Sequence, residues 1–151
     1  MTRLLTFAAF ALLPALAWGE GYICAADMAT GFAYRNGDWR QTEFKPVEKF
    51  VVRRSTQVER PGMSELWGIP DAKWTVVELG KETPAAGCSD DFKANGDLSC
   101  HGALRIEFRM NKNSLRFLYS YLGGYWDSTP GNESSESKDT PAIAIGKCSP
   151  M

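Results

Sequence analysis

The chain has 151 residues, 17 of them Lys or Arg and 18 Asp or Glu, for a formal charge of −1 at neutral pH. That length suits one domain with a sizeable core, and the near-balance of charge excludes the basic patch of a nucleic-acid binder, a polybasic membrane contact and an acidic tail. With one histidine in the whole chain, any catalyst that needs an imidazole must use His101.

Residues 1–19 read as an export signal. Met1-Thr2-Arg3 is a short positive start, Leu4 to Leu13 an apolar run, and Pro14-Ala15-Leu16-Ala17 a small-residue cleavage site. The run is too short to cross a hydrocarbon layer of ~30 Å comfortably. Cleavage after Ala17 or Gly19 removes only Arg3 from the charged set, leaving 16 basic and 18 acidic residues. The expected product is a single β-rich domain over 20–151, periplasmic or secreted.

The exported part begins with a strand at Tyr22 to Ala25, which Thr30-Gly31 is expected to interrupt. Phe32-Ala33-Tyr34 then leads into Asn36-Gly37, followed by Trp39. Asn-Gly between apolar segments is the strongest short-range hairpin signal. Phe50 to Arg53 and Lys73 to Leu79 are β-branched, strand-like runs. Between them Pro61-Gly62 and Pro70-Asp71 act as breakers, with one helical turn expected at Met63 to Trp67. Gly80 to Gly87 is expected to be a connection, and Asn95-Gly96 a second turn.

The clearest element spans Ala103 to Leu122. Leu104 to Met110 alternates apolar with charged, and Leu115, Phe117, Tyr119 and Tyr121 share one face of a second arm. A hairpin with Lys112-Asn113 at its tip sets Met110 opposite Leu115, Phe108 opposite Phe117, Ile106 opposite Tyr119 and Leu104 opposite Tyr121. Arg109 then opposes Arg116, a conflict that Glu107 eases diagonally. Gly123-Gly124 ends the hairpin, and 127–141, rich in Ser, Pro, Gly and Glu, reads as a mobile surface loop. Ala142 to Ile145 is the last strand. Six to nine antiparallel strands at this spacing predict an all-β fold, a single barrel or sandwich.

All four cysteines, Cys24, Cys88, Cys100 and Cys148, lie in the exported part, where an oxidising compartment favours disulfides. Of three pairings, Cys88–Cys100 with Cys24–Cys148 is favoured, one closing a local loop and the other tying the ends. No C-x-x-C accompanies the lone His101, so neither zinc nor another metal is expected. No phosphate-binding, dinucleotide or EF-hand motif calls for a cofactor.

Tyr22-Ile23-Cys24 with Thr30-Gly31-Phe32 and Trp39 resembles the opening of an uncharacterised family of small exported Gram-negative bacterial proteins. Leu115-Arg116-Phe117, Gly124-Tyr125, Lys138-Asp139-Thr140-Pro141 and Ile145-Gly146-Lys147-Cys148 are similar to its closing half. The resemblance covers nearly the whole exported chain and implies an envelope location rather than an activity. A fainter likeness, at the level of fold alone, is to periplasmic lysozyme inhibitors of the small β-barrel type.

Aromatic side chains carry the functional expectation. Trp74, Tyr119 and Tyr121 sit on alternating strands and belong to a core. Trp67, Tyr125 and Trp126 lie beside Gly and Pro in expected loops, where exposed rings can stack on sugars or anchor a protein. The leading reading is a non-enzymatic binding module of the cell envelope that takes a protein or glycan through these three residues. The alternatives are a small exported hydrolase using His101 or the pair Glu78 and Glu107, and an inhibitor of a cell-wall hydrolase.

Overall fold

The computed structural model describes residues 20–125 and 140–151. The expected export signal, Trp126 and all of the expected 127–141 loop except Thr140 and Pro141 lie outside them. Within the described residues, chain order runs β1 (Gly21–Arg35), β2 (Asp38–Phe44), β3 (Lys49–Arg54), α1 (Glu59–Trp67), β4 (Trp74–Glu78) and β5 (Pro84–Cys88). It continues with β6 (Asp97–His101), a 3-10 turn (Ala103–Arg105), β7 (Ile106–Asn111), β8 (Arg116–Tyr121) and β9 (Ala142–Pro150). Neighbouring strands follow the order β2-β1-β3-β4-β5-β6-β7-β8-β9, and β9 returns to pair with β1. The fold is therefore a closed, eight-stranded antiparallel barrel with β2 as an extra strand on β1. Closure removes every sheet edge but that of β2.

Strand β1 holds both ends of the barrel together. Its first residues pair with β3 on one side and β9 on the other. Past a bulge between Ala26 and Met28, it leaves β3, keeps β9 and takes up β2. Thr30-Gly31 does not break it. A Cβ on Gly31 would stand 2.1 Å from the Pro141 carbonyl oxygen, so this glycine admits close approach of the β9 entry rather than a turn. The expected turn does form at Asn36-Gly37, where φ values of 52° and 84° fit a two-residue primed turn.

The organising hairpin forms with its apolar face inward, but its register differs from expectation. Met110 opposes Phe117, Phe108 opposes Tyr119 and Ile106 opposes Tyr121. The turn takes four residues, because the Asn111 side-chain oxygen accepts the N–H groups of Asn113 and Ser114 at 2.9 and 3.0 Å. Leu115 enters that turn at φ 55°, and Leu104 belongs to the 3-10 turn. A two-residue shift keeps every side chain on its face, so the apolar match survives. It also relieves the expected Arg109–Arg116 conflict, since Arg109 opposes Leu118 and ion-pairs Glu107 at 2.6 Å.

Inside the barrel, Phe50, Phe108, Phe117 and Tyr119 pack ring on ring with centroids 5.0–5.9 Å apart. Toward the β1 start, Tyr22, Trp74 and Phe92 form a second aromatic group. Both expected disulfides are present, Cys24–Cys148 and Cys88–Cys100. The first joins directly opposed residues of β1 and β9. The second crosses the β5–β6 seam, where Gly87 and His101 are the one registered pair among the described residues. Residues 84–87, expected as part of the Gly80 to Gly87 connection, thus belong to a strand paired with β4 and bridged by the disulfide to β6, an unanticipated strand.

Helix α1 is longer than the single turn expected. Pro61 does not break it because it lies in the first turn, where a missing N–H costs nothing. Thr56 and Glu59 exchange side-chain-to-backbone hydrogen bonds at 2.9 and 3.3 Å, which close the turn leading into the helix. Its buried Met63 packs with Ile69 and Ala72 and lies over Gly87, whose added Cβ would be 2.7 Å from the Met63 sulfur. The helix so covers the outer wall of β4 and β5, which is why Thr75 is buried although it faces away from the barrel interior. No helix among the described residues is long and apolar enough to cross a membrane. The two disulfides fit an oxidising compartment.

Candidate functional site

The β1–β2 hairpin projects beyond the barrel, and its aromatic residues gather at one place. Tyr34 and Trp39 are cross-strand neighbours with ring centroids 5.6 Å apart. Tyr125 meets the other edge of Trp39 at 5.4 Å with planes at 77°. Phe32, Leu122 and Pro141 complete a groove of about 510 Å³ with Trp39 and Tyr125. The Phe32 N–H donates to the Pro141 carbonyl at 3.0 Å, which fixes the start of β9 against the hairpin. Tyr125 is 63% and Phe32 52% exposed, unusual for rings of this size outside a contact surface.

Of the three aromatic residues expected to bind, Tyr125 lines this groove and Trp126 lies outside the described residues. Trp67 ends α1 and packs on Met63, Ile69 and Ala72. Register separates it from Tyr125. Arg53, at the end of β3 that leads into α1, pairs with Gly21 at the start of β1, whereas Trp39 pairs with Tyr34 near its end. Thirteen residues of strand between them span roughly 43 Å. Sequence reading passed over Phe32 and Trp39 as ligand contacts, though the Asn36-Gly37 turn already forced Tyr34 and Trp39 together.

The titratable candidates do not converge. His101 is exposed at the end of β6, opposite Gly87 and Glu107. Glu107 faces outward and is bound to Arg109. Glu78 ends β4, three strands away from β7, and lies close enough to Tyr119 to act on it. Burial first, then the charges of Glu78 and Glu48, push the Tyr119 hydroxyl above its usual pKa. At the opposite end, the Trp74 indole N–H donates to Asp91 at 3.0 Å. That bond first, and then the Arg54 guanidinium, hold the Asp91 carboxyl below its usual range. Arg54 also ion-pairs Asp91 and Glu20 and stacks 4.3 Å from the Trp74 ring centroid. These charges fasten a lid over the aromatic core. Asn95 and Asp97 are bound to each other and to Asn111, tying two turns together. Among the described residues no group of three or more His, Cys, Asp or Glu is placed to hold a metal.

Comparison with protein-family models, with curated proteins and with solved structures finds no match. The groove is therefore read from its own chemistry.

Proposed function

We propose that the protein is an exported, non-enzymatic binding module of the cell envelope, and that the groove of Phe32, Trp39, Leu122, Tyr125 and Pro141 takes an apolar anchor side chain of a protein partner. The observation that carries this is the composition of the groove walls. They present rings and aliphatic carbon, with the Trp39 indole and Tyr125 hydroxyl as their side-chain polar groups. A sugar site needs several convergent hydrogen-bonding side chains to read hydroxyls, whereas an apolar anchor needs shape and desolvation. Trp and Tyr are also the residue types that most often carry binding energy at protein interfaces. The predicted export signal and the two disulfides support the location. The separation of Glu78 from Glu107 by three strands, and the exposure of His101 beside an arginine-bound Glu107, weigh against the hydrolase reading.

Selection from a displayed random-peptide library against the oxidised protein tests this. Enriched peptides should share one aromatic or large aliphatic residue. Their binding should fall about tenfold or more for Trp39→Ala and for Tyr125→Ala, the size of a hot-spot truncation, and hold for Trp67→Ala. Binding indifferent to both groove variants, or a glycan array that responds where peptides do not, would remove the proposal.

A further inference from the structure

The outer wall of β1, β9 and β8 is apolar, and it stands opposite the wall that α1 covers. Counting around the barrel, β9 lies four strands from β5 in either direction. On β9 the residues facing the interior are Ala144, Gly146 and Cys148, while Ile143 and Ile145 face out. Met28 on β1 and Leu118 on β8 flank Ile145 in one row. Met28 is 65% and Ile145 44% exposed. Together with Leu118, Ile143, Leu122 and Phe32, the wall offers on the order of 500 Å² of apolar surface, at the upper end of what monomers leave bare.

Charge is divided across this wall. A groove of about 460 Å³ on the β1–β2 side brings Asp27 and Glu43 beside Met28, Ile143 and Ile145. A groove of about 380 Å³ on the β7–β8 side brings Arg116 beside Leu118, together with Arg109, which is bound to Glu107, and Asp97, which is bound to Asn111. Among the described residues Asp27, Glu43 and Arg116 make no ion pair. Glu43 and Arg109 stand four strand spacings apart, about 19 Å. Asp27, an apolar stripe and Arg116 in that order are complementary to a second copy of themselves.

We propose that this wall is a self-association surface on which a second copy of the chain seats face to face. A two-fold axis lying in the interface along β9 sets Met28 of each copy against Leu118 of the other. The same axis brings Asp27 of each copy to the Arg116 side of its partner. Two such walls bury on the order of 1,000 Å² of apolar surface, and the charged rims bring the total into the range of specific interfaces, about 1,200 Å² and above. The aromatic groove lies at the Leu122 and Phe32 end of the wall, so a dimer presents two grooves at one edge.

The test is sedimentation equilibrium on the full chain exported through its own leader and purified oxidised, from about 1 to about 200 μM, a range that spans weak dimers. A reversible monomer–dimer equilibrium is expected. Ile145→Arg, Asp27→Lys and Arg116→Glu should each weaken it about tenfold or more. The double variant Asp27→Lys/Arg116→Glu should recover to within about threefold of the parent, because swapping both flanks restores complementarity. All three positions are on the surface, and an unchanged melting temperature confirms that each variant folds. A monomer at every concentration would overturn the proposal and leave the wall to a different partner. A dimer equally strong in all variants, or a double variant no stronger than the single ones, would overturn it as well.

Discussion

The two disulfides close loops of very different length and cross seams of very different strength, so their removal should separate global from local stability. Cys24–Cys148 spans 124 residues in sequence and Cys88–Cys100 spans 12. Chain entropy alone puts the loss from Cys24→Ala/Cys148→Ala at about 5 kcal/mol and that from Cys88→Ala/Cys100→Ala at about 3 kcal/mol. The seams reverse the local order. β1 and β9 share nine registered residue pairs from Tyr22↔Pro150 to Gly31↔Ala142, so their ladder stays shut without the bridge. β5 and β6 share Gly87↔His101 alone, and the disulfide is what holds them. Denaturant titration should therefore rank the first variant as less stable, while hydrogen exchange should show fast amides in β5 and β6 only in the second. A second variant whose β5 and β6 amides stay as protected as in the parent would refute the account of that seam. So would a larger global loss from the short loop than from the long one.

Other variants test the packing. A Cβ on Gly146 would lie 2.1 Å from the Ala25 carbonyl oxygen and 2.7 Å from a Phe117 ring carbon. Gly146→Ala should therefore cost about 2–3 kcal/mol in denaturant unfolding, whereas Ser149→Ala on the exposed end of β9 should cost under about 0.5 kcal/mol. Arg53, bound to Glu59 at 2.6 Å, holds that carboxyl below its ordinary range. A depressed carboxyl stabilises the fold above its unfolded pKa, and that stability is lost as pH falls through the folded value. Glu59→Gln should lower stability at pH 7 by about 1 kcal/mol, allowing for the solvent that reaches Arg53, and flatten the acid limb below pH 4.5. An acid limb as steep as the parent's would place its origin elsewhere.

Much of the fold was legible because local chemistry left few alternatives. Period-two alternation in residues 106–110 fixed the inward face of β7, and Asn36-Gly37 fixed a hairpin. The two loop lengths made one disulfide pairing the natural choice. The register of the organising hairpin was not legible. It depends on the Asn111 side chain competing for the N–H groups of Asn113 and Ser114, and a two-residue shift keeps the apolar faces matched. Strand β5, Pro84–Cys88, escaped notice because it is short, Gly- and Pro-bearing, bulged against β4, and joined to β6 by one registered pair and its disulfide. The outward isoleucines of β9 were available in principle. Cys148 must point inward to reach Cys24, and counting back by two puts Gly146 and Ala144 inside with Ile145 and Ile143 outside. Of the residues that line the groove, Tyr125 was singled out from its loop context, while Phe32 and Trp39 were hidden by the expectation that Thr30-Gly31 ends the first strand. Once β1 runs unbroken to Arg35, those rings are carried past the barrel and cannot be core.

The central claim is that partners dock at the β1–β2 end of the barrel, and site-specific photo-crosslinking in the exporting host tests it most directly. A photoreactive residue at Gln41, on the groove rim beside Phe32 and Leu122, is compared with one at the exposed Glu65 of α1. The account predicts an adduct of defined mass from position 41, absent from position 65 and lost when Tyr125→Ala is added. Adducts of equal yield from both positions, or an adduct at 41 that persists with Tyr125→Ala, would contradict it.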